Sequence, residues 1–260
     1  MKQFFNVTRY EFSMSIRRAG FWITYVLLGG FYLVSILIPA GRDSAVIAPD
    51  QIWPEAGHLV FMFNIFLPLL AGLLSADRMQ RDFRNGVREL QRSSPLSTPN
   101  YILAKYLGVL ISTLLPFFLI LIIAGLYSVF KGLAPWEFLW PLFVAFLAIA
   151  LPAHAFVVAF SLACPLVMPL RVYQVLFTGY WFWGNLLSPK AFPTISDTVL
   201  NAVGQIPLQA YFSVTNASTH PVSDTFTRPQ AMLNVLVLTV LIAAALSTAN
   251  AYLRWQARRA

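Results

Sequence analysis

The sequence is poor in charge and in cysteine. Only 11% of its 260 residues are charged, against about 25% in soluble domains, while 58% are hydrophobic. Cys164 is the single cysteine, which excludes an intramolecular disulfide and any multi-cysteine metal site. No long polar stretch separates the apolar segments, so the chain has no room for a separate globular catalytic unit. These shortages exclude a soluble enzyme and indicate a membrane protein.

The chain also lacks the groups with which a membrane protein drives transport or catalysis by itself. Its apolar segments contain no Asp, Glu, Lys or Arg away from their ends, so no relay for an ion gradient is evident. The phosphate-binding pattern G-x-x-x-x-G-K-[ST] is absent. His58 and His154 lie about 20 Å apart in depth, too far to share a metal. We therefore expect no catalytic residue, no metal and no cofactor.

Six apolar segments are suited to crossing about 30 Å of hydrocarbon as helices. They cover residues 20–38, 57–76, 102–129, 137–163, 172–187 and 231–253, and the fifth is the shortest. Pro68, Pro116 and Pro152 fall inside three of them and predict kinks. The fold class predicted is all-α, a single polytopic transmembrane domain over residues 1–260.

The net charge of +8 follows membrane topology. One set of connections holds most of the Lys and Arg residues, whereas the other holds only Arg42, Lys131, Lys190 and Arg228. Because cytoplasmic loops carry the positive excess, both termini are predicted in the cytoplasm, and the chain in the cell membrane. The basic charge is thereby explained without nucleic-acid binding.

Residues 1–19 are predicted to form an amphipathic helix in the plane of the membrane. Lys2, Arg9 and Arg17 share its polar face, while phenylalanine and aliphatic residues cover the rest. Glu11 breaks this pattern because it falls on the side without basic residues. Two interpretations are open: a carboxylate that reaches the headgroups, or a polar contact to another part of the protein.

Residues 77–99 form the most charged loop. The pairs Asp77 with Arg81 and Arg78 with Asp82 are spaced i,i+4, and an apolar stripe follows at Phe83, Val87 and Leu90. This predicts a short amphipathic helix, in which Gly86 costs about 1 kcal/mol relative to alanine. The helix is suited to docking onto a cytoplasmic partner. A solvated linker that obeys the positive-inside rule is the alternative.

Residues 188–229 are predicted as an external re-entrant region. The apolar residues on either side of Pro207 have a helical period, which suits a hairpin dipping into the outer leaflet. Such a hairpin must be buried in protein or line a cavity. Three polar residues of the spans, Asn64, His154 and Gln174, are candidates for a substrate path, although His154 also suits simple packing.

Two ridges of small residues would let helices approach closely. They are Ala155, Ala159 and Ala163 in the fourth span, and Ala243, Ser247 and Ala251 in the sixth. Self-association and packing within one chain are both compatible with them.

The order of these features resembles the permeases of type-2 ABC exporters over essentially the whole chain. The matching residues are Arg9-Tyr10-Glu11-Phe12, Asp77-Arg78, Gly86 with Glu89-Leu90, Ser94-Pro95-Leu96, and Tyr101 with Lys105. Asp77 departs from the glutamate that is more usual there. The resemblance implies that two permeases pair, identical or different, and that each contacts a separate cytoplasmic ATPase.

The same resemblance implies which residues couple the permease to the ATPase. Charged contacts would come from Arg81, Asp82, Arg84, Arg88 and Glu89, and apolar contacts from Phe83, Val87 and Leu90. Asp77, Arg78 and Gly86 complete the segment, and Glu11 would brace the in-plane helix against it. A membrane anchor or assembly factor without transport activity is the alternative. A membrane-bound enzyme is disfavoured because ionisable groups do not cluster at one depth.

Overall fold

The computed structural model describes residues 2–37, 46–86, 96–214 and 226–259. These residues form helices and connections, with no strand among them, as predicted. The helices are α1 (Lys2–Ile16), α2 (Ala19–Leu37), α3 (Ile52–Asn64), α4 (Leu67–Ser75), α5 (Arg78–Arg84), α6 (Thr98–Phe130), α7 (Leu139–Ala145), α8 (Leu151–Ala163), α9 (Leu170–Asn185), α10 (Gln205–Phe212) and α11 (Arg228–Arg259). A π-helical turn, Phe146–Ala150, joins α7 to α8.

Four helical runs are long and apolar enough to cross a membrane. They are Pro49–Arg84, Thr98–Phe130, Trp136–Leu166 and Arg228–Arg258, which cover the predicted second, third, fourth and sixth spans. The predicted first span falls on a shorter apolar helix, Ala19–Ser35. The predicted fifth falls on α9, which has 16 residues. A multi-pass architecture is therefore present, and the count of six spans stays a prediction.

The prolines interrupt two of the three helical runs in which they lie. The second run breaks at Ile65 and Phe66, immediately before Pro68 in the first turn of α4. The Ile65 carbonyl accepts a hydrogen bond from the indole N–H of Trp181 at 2.7 Å. The π-helical turn precedes Pro152, whereas α6 continues through Pro116. The indole of a neighbouring helix thus supplies a hydrogen bond to a backbone carbonyl at the break, where the regular helical hydrogen bonds are interrupted.

The apolar core has two parts that differ in the helices they join. The larger part packs α2, α3, α4, α6 and α9 with α10, and includes Phe61, Phe117 and Trp181. The smaller part packs the first half of α6 against α8 and α11. The α8 ridge lies in this smaller part, so it packs within the chain, whereas Ala243, Ser247 and Ala251 of the α11 ridge are exposed.

Asparagines hold the segment before α10 in place. Asn185 Oδ1 accepts from the backbone N–H groups of Ala202 at 2.8 Å and Val203 at 3.1 Å. Asn234 Nδ2 donates to the carbonyls of Val199 and Asn201, both at 2.8 Å. These bonds attach the connection to α9 and α11, so its backbone groups are paired although Ala202 and Val203 are buried.

Replacing Asn185 with leucine is expected to destabilise the protein by about 1–3 kcal/mol. The Ala202 N–H loses its acceptor, whereas the Val203 N–H keeps the side chain of Asn201. Chemical unfolding in detergent, followed by tryptophan fluorescence, measures the change. Asn100→Leu, at an exposed position of α6, serves as the control. Equal stability of the two variants would contradict the assignment.

Candidate functional site

Helix α1 lies directly against α6 because Gly108 has no side chain. A Cβ atom added at Gly108 would lie 2.6 Å from the Thr8 carbonyl oxygen and 2.8 Å from the Glu11 Cβ. No real side chain fits in that space without displacing α1. The close approach brings the carboxylate of Glu11 to the first turns of α6, where Lys105 lies.

Lys105 is the centre of a buried ion network. Its ammonium group is fully buried and pairs with Glu11 of α1 and, at 2.8 Å, with Asp82 of α5. Asp82 also accepts a hydrogen bond from the hydroxyl of Tyr101, one turn before Lys105 on α6. A single cation therefore holds carboxylates from two other helices.

Arg78 extends the network from α5 back to α1. Its guanidinium donates to the Ser15 hydroxyl at 2.9 Å and lies 3.9 Å from both Glu11 and Asp77. Its side chain is 3% exposed, and a buried charge is energetically costly unless it is paired. The guanidinium therefore depends on these partners.

Asp77 connects the network to the turn between α1 and α2. It pairs with Arg81 one turn further along and lies 3.7 Å from Arg18. The charge cluster is defined here as Glu11, Arg18, Asp77, Arg78, Arg81, Asp82 and Lys105. It joins α1, the α1–α2 turn, α5 and α6 at one end of the helix bundle. A displacement of α5 would thus be transmitted to α1 and α6, since uncompensated buried charge is costly.

The predicted pairs of the 77–99 segment are formed in part. Asp77 pairs with Arg81 as its spacing predicts. Arg78 and Asp82 were expected to pair with each other, but Arg78 faces Ser15 and Glu11 while Asp82 faces Lys105. Contacts to other helices replace this pair because both side chains are turned into the protein. Glu11 is buried beside Lys105 and Arg78. Its carboxylate therefore makes a polar contact to another part of the protein and does not extend to the lipid headgroups.

The predicted position of Gly86 inside a helix is corrected. Helix α5 ends at Arg84, and Gly86 follows with a φ of +66°, a left-handed conformation that terminates helices and favours glycine. Gly86 therefore ends the helix. Phe83 and Arg84 are exposed on its last turn. Predictions for Val87, Arg88, Glu89 and Leu90 lie outside the described residues.

Lys105, Ser15 and Arg18 belong to this network although no site role was predicted for them from the sequence. Lys105 lies inside the predicted third span, and a charged residue in a span is itself a signal of function. Lys105 lies close to the start of that span, however, where charged residues are ordinary. The isolated position of Glu11 on α1 was the second signal, since a buried carboxylate needs a cation.

Two of the three candidate substrate-path residues contact the same π-helical turn. Asn64 Nδ2 donates to the carbonyl of Val203 at 2.7 Å and to that of Ile149, in the π-helical turn, at 3.4 Å. His154 Nδ1 lies 3.0 Å from the next carbonyl of that turn, Ala150. Both side chains are fully buried. Gln174 is partly exposed on α9, away from these hydrogen bonds.

Comparison with known families shows a match over most of the chain. The sequence model of a family described as "ABC-2 family transporter protein" matches residues 47–248, which is more than three quarters of the chain. Curated proteins give no significant match. Within the described part of the chain, no group of three or more His, Cys, Asp or Glu residues is arranged to hold a metal ion.

Proposed function

Because the chain belongs to the ABC-2 family of transporter proteins, we propose that it is the permease subunit of an ATP-driven exporter. Two permeases, identical or related, form the substrate path, and a separate cytoplasmic ATPase supplies the energy. The sequence itself carries no phosphate loop, so ATP hydrolysis is assigned to the partner chain.

The charge cluster is the observation that carries this proposal. It connects the short helix α5 to Lys105 near the start of α6, a helix of 33 residues that spans about 50 Å. A partner that moves α5 would therefore move a complete spanning helix. Glu11 and Arg78 add α1 to the same unit, so three helices would respond together.

Helix α5 also offers a surface to the proposed ATPase. Arg78 and Met79 are buried on one side, while Phe83 and Arg84 are exposed at its end. An exposed aromatic residue beside a cation is the composition found at the centre of protein interfaces. The coupling segment 77–99 is proposed to contact the ATPase through this surface and through Arg88, Glu89 and the apolar residues that follow Gly86.

The proposed topology follows from the distribution of charge. The charge cluster and both termini lie on the cytoplasmic side, and residues 188–229, including α10, lie on the outer side. The first 19 residues lie along the membrane surface. Asn64, His154 and Gln174 are proposed as polar points of the substrate path. Burial of the first two implies that they become accessible only when the helices move.

Replacing Phe83 with aspartate is expected to weaken ATPase binding by at least about 2 kcal/mol, or roughly 30-fold. The experiment purifies the tagged chain from its native membranes in mild detergent. Mass spectrometry then identifies co-purifying chains that carry a phosphate loop, and ATP hydrolysis is measured in the same preparation. Phe192→Asp, at an exposed phenylalanine on the proposed outer side, is the matched control.

The result separates transport from the anchor alternative. Loss of both the ATPase and ATP-dependent export with Phe83→Asp, but not with Phe192→Asp, supports the proposal. Recovery of an intact complex that still exports from Phe83→Asp vesicles would overturn the proposed docking surface. A parent chain that recovers no ATPase would favour the membrane anchor.

A further inference from the structure

Two cavities at the end of the bundle near α5 share a wall. The first, of about 430 Å³, lies between α5, the segment from Pro165 to Pro169, and Gln256 of α11. The second, of about 260 Å³, lies between α8 and α11. Leu166 and Val167 line both cavities, so the two are adjacent, and together they are called the groove here.

The first cavity has mostly apolar walls, and Arg84 is the charged group among the described residues that line it. Arg84 is an exposed cation in its wall, and no carboxylate is found among the described residues that line it. Gln80 Nε2 donates to the carbonyls of Pro165 at 2.9 Å and Met168 at 3.3 Å, which fixes the opposite wall. The described lining of the cavity therefore carries a net positive charge, which could attract an anion.

The second cavity is apolar, and its length matches the depth of one leaflet, which an acyl chain occupies. Its walls include Phe160 and Cys164 on one side, and the α11 residues from Leu241 to Tyr252 on the other. Leu241 and Tyr252 are about 16 Å apart along the helix axis. This is close to half of the roughly 30 Å thickness of the bilayer hydrocarbon. Tyr252 also accepts a hydrogen bond from Gln256 at 2.9 Å, so α11 joins the apolar wall to the first cavity.

The helix end marks the level of the membrane surface. Tyr252 and Trp255 stack with ring centroids 5.8 Å apart, and Arg254 follows Tyr252 closely. Aromatic and basic residues collect at the boundary between hydrocarbon and headgroups. The first cavity thus lies at headgroup level, and the second, apolar cavity lies within one leaflet.

We propose that the groove binds one anionic phospholipid, with its phosphate at Arg84 and an acyl chain between α8 and α11. The charge selects an anionic headgroup, and the apolar cavity selects a lipid over free phosphate. This binding requires only that the chain spans a membrane. It would place a lipid against α5, so lipid composition would affect the position of that helix.

The test measures lipid binding to the purified full-length chain without an ATPase. The chain is equilibrated in micelles that contain equal amounts of phosphatidylglycerol and phosphatidylcholine, and native mass spectrometry detects the retained lipid. We expect phosphatidylglycerol to be retained about tenfold over phosphatidylcholine, which corresponds to about 1.4 kcal/mol. Ala244→Trp, which fills the apolar cavity, is expected to abolish retention, and Arg84→Gln is expected to remove the headgroup preference.

Two controls separate the groove from general effects. Val240→Trp adds the same ring one turn away on α11, outside the cavity lining, and Arg9→Gln removes an exposed charge on α1. Both should retain phosphatidylglycerol as the parent does. A second measurement needs no substitution: phosphatidylglycerol should slow alkylation of Cys164, in the apolar wall, by N-ethylmaleimide.

Several outcomes would overturn the proposal. These are equal retention of the two lipids by the parent chain, unchanged retention in Ala244→Trp, or alkylation of Cys164 at the same rate with either lipid. Displacement of the bound lipid by glycerol phosphate alone would also count against it, because the acyl chain would then contribute nothing. This measurement contains no ATPase, so its failure would leave the proposed ATPase contact at Phe83 and Arg84 to be tested separately.

Discussion

Replacing Lys105 with methionine is expected to lower the free energy of unfolding by about 3–5 kcal/mol, because the buried Glu11 and the partly buried Asp82 both lose their ammonium partner. Glu11 and Asp82 both pair with the Lys105 ammonium, whose side chain is fully buried. Methionine keeps the length and apolar stem of lysine, so the change tests the charge and not the packing. Unfolding in detergent with increasing denaturant measures the loss.

A triple variant distinguishes lost pairing from lost volume. Glu11→Gln and Asp82→Asn, added to Lys105→Met, remove the two carboxylates that the single change leaves unpaired. Since buried Arg78 then keeps Ser15 and Asp77 but loses Glu11, only part of the stability should return. Lys131→Met, at an exposed lysine after α6, should be close to neutral. A triple variant no more stable than the single one would show that the ion pairs are not the cause.

Spanning helices could be predicted from the sequence because hydropathy is a local property. The second, third, fourth and sixth predicted spans all fall on long apolar helices. Local spacing likewise predicted the pair of Asp77 with Arg81, which are one turn apart on the same helix. The break before Pro68 follows from the absence of a proline N–H, although the indole of Trp181 that compensates for it is 116 positions away from Ile65.

The charge cluster could be predicted only in part because its pairs depend on tertiary packing. Glu11 and Lys105 are 94 positions apart, and nothing in their local sequence specifies the partner. Asn64 and Val203 are separated by 139 positions, so the role of Asn64 in holding the segment before α10 was equally hidden. The end of α5 at Arg84 was missed because Gly86 was treated as a weak helix residue and not as a helix terminator.

Replacing Gly108 with leucine is expected to separate α1 from α6 and to disconnect Glu11 from Lys105. The first new atom alone would lie 2.6 Å from the Thr8 carbonyl, a backbone group that cannot rotate away. Overpacking usually costs about 1–3 kcal/mol. Loss of the buried pair adds to that cost, so we expect the total to reach about 3 kcal/mol or more.

Accessibility of α1 provides the measurement. Ser15 is 1% exposed, so a cysteine placed there in a Cys164→Ala background should react slowly with a water-soluble maleimide. Gly108→Leu should make the same cysteine reactive at a rate close to that of an exposed thiol. Gly179→Leu is the matched control, because a Cβ at Gly179 meets nothing within 4 Å.

The same variant tests whether α1 takes part in coupling. If the charge cluster transmits movement from α5, detaching α1 should reduce ATP-dependent export while Phe83 still binds the ATPase. Binding and transport would then be separated in one protein, since the proposed docking surface of α5 is untouched. Full export by Gly108→Leu, with its Ser15 cysteine reactive, would restrict the coupling pathway to the pair of Lys105 with Asp82.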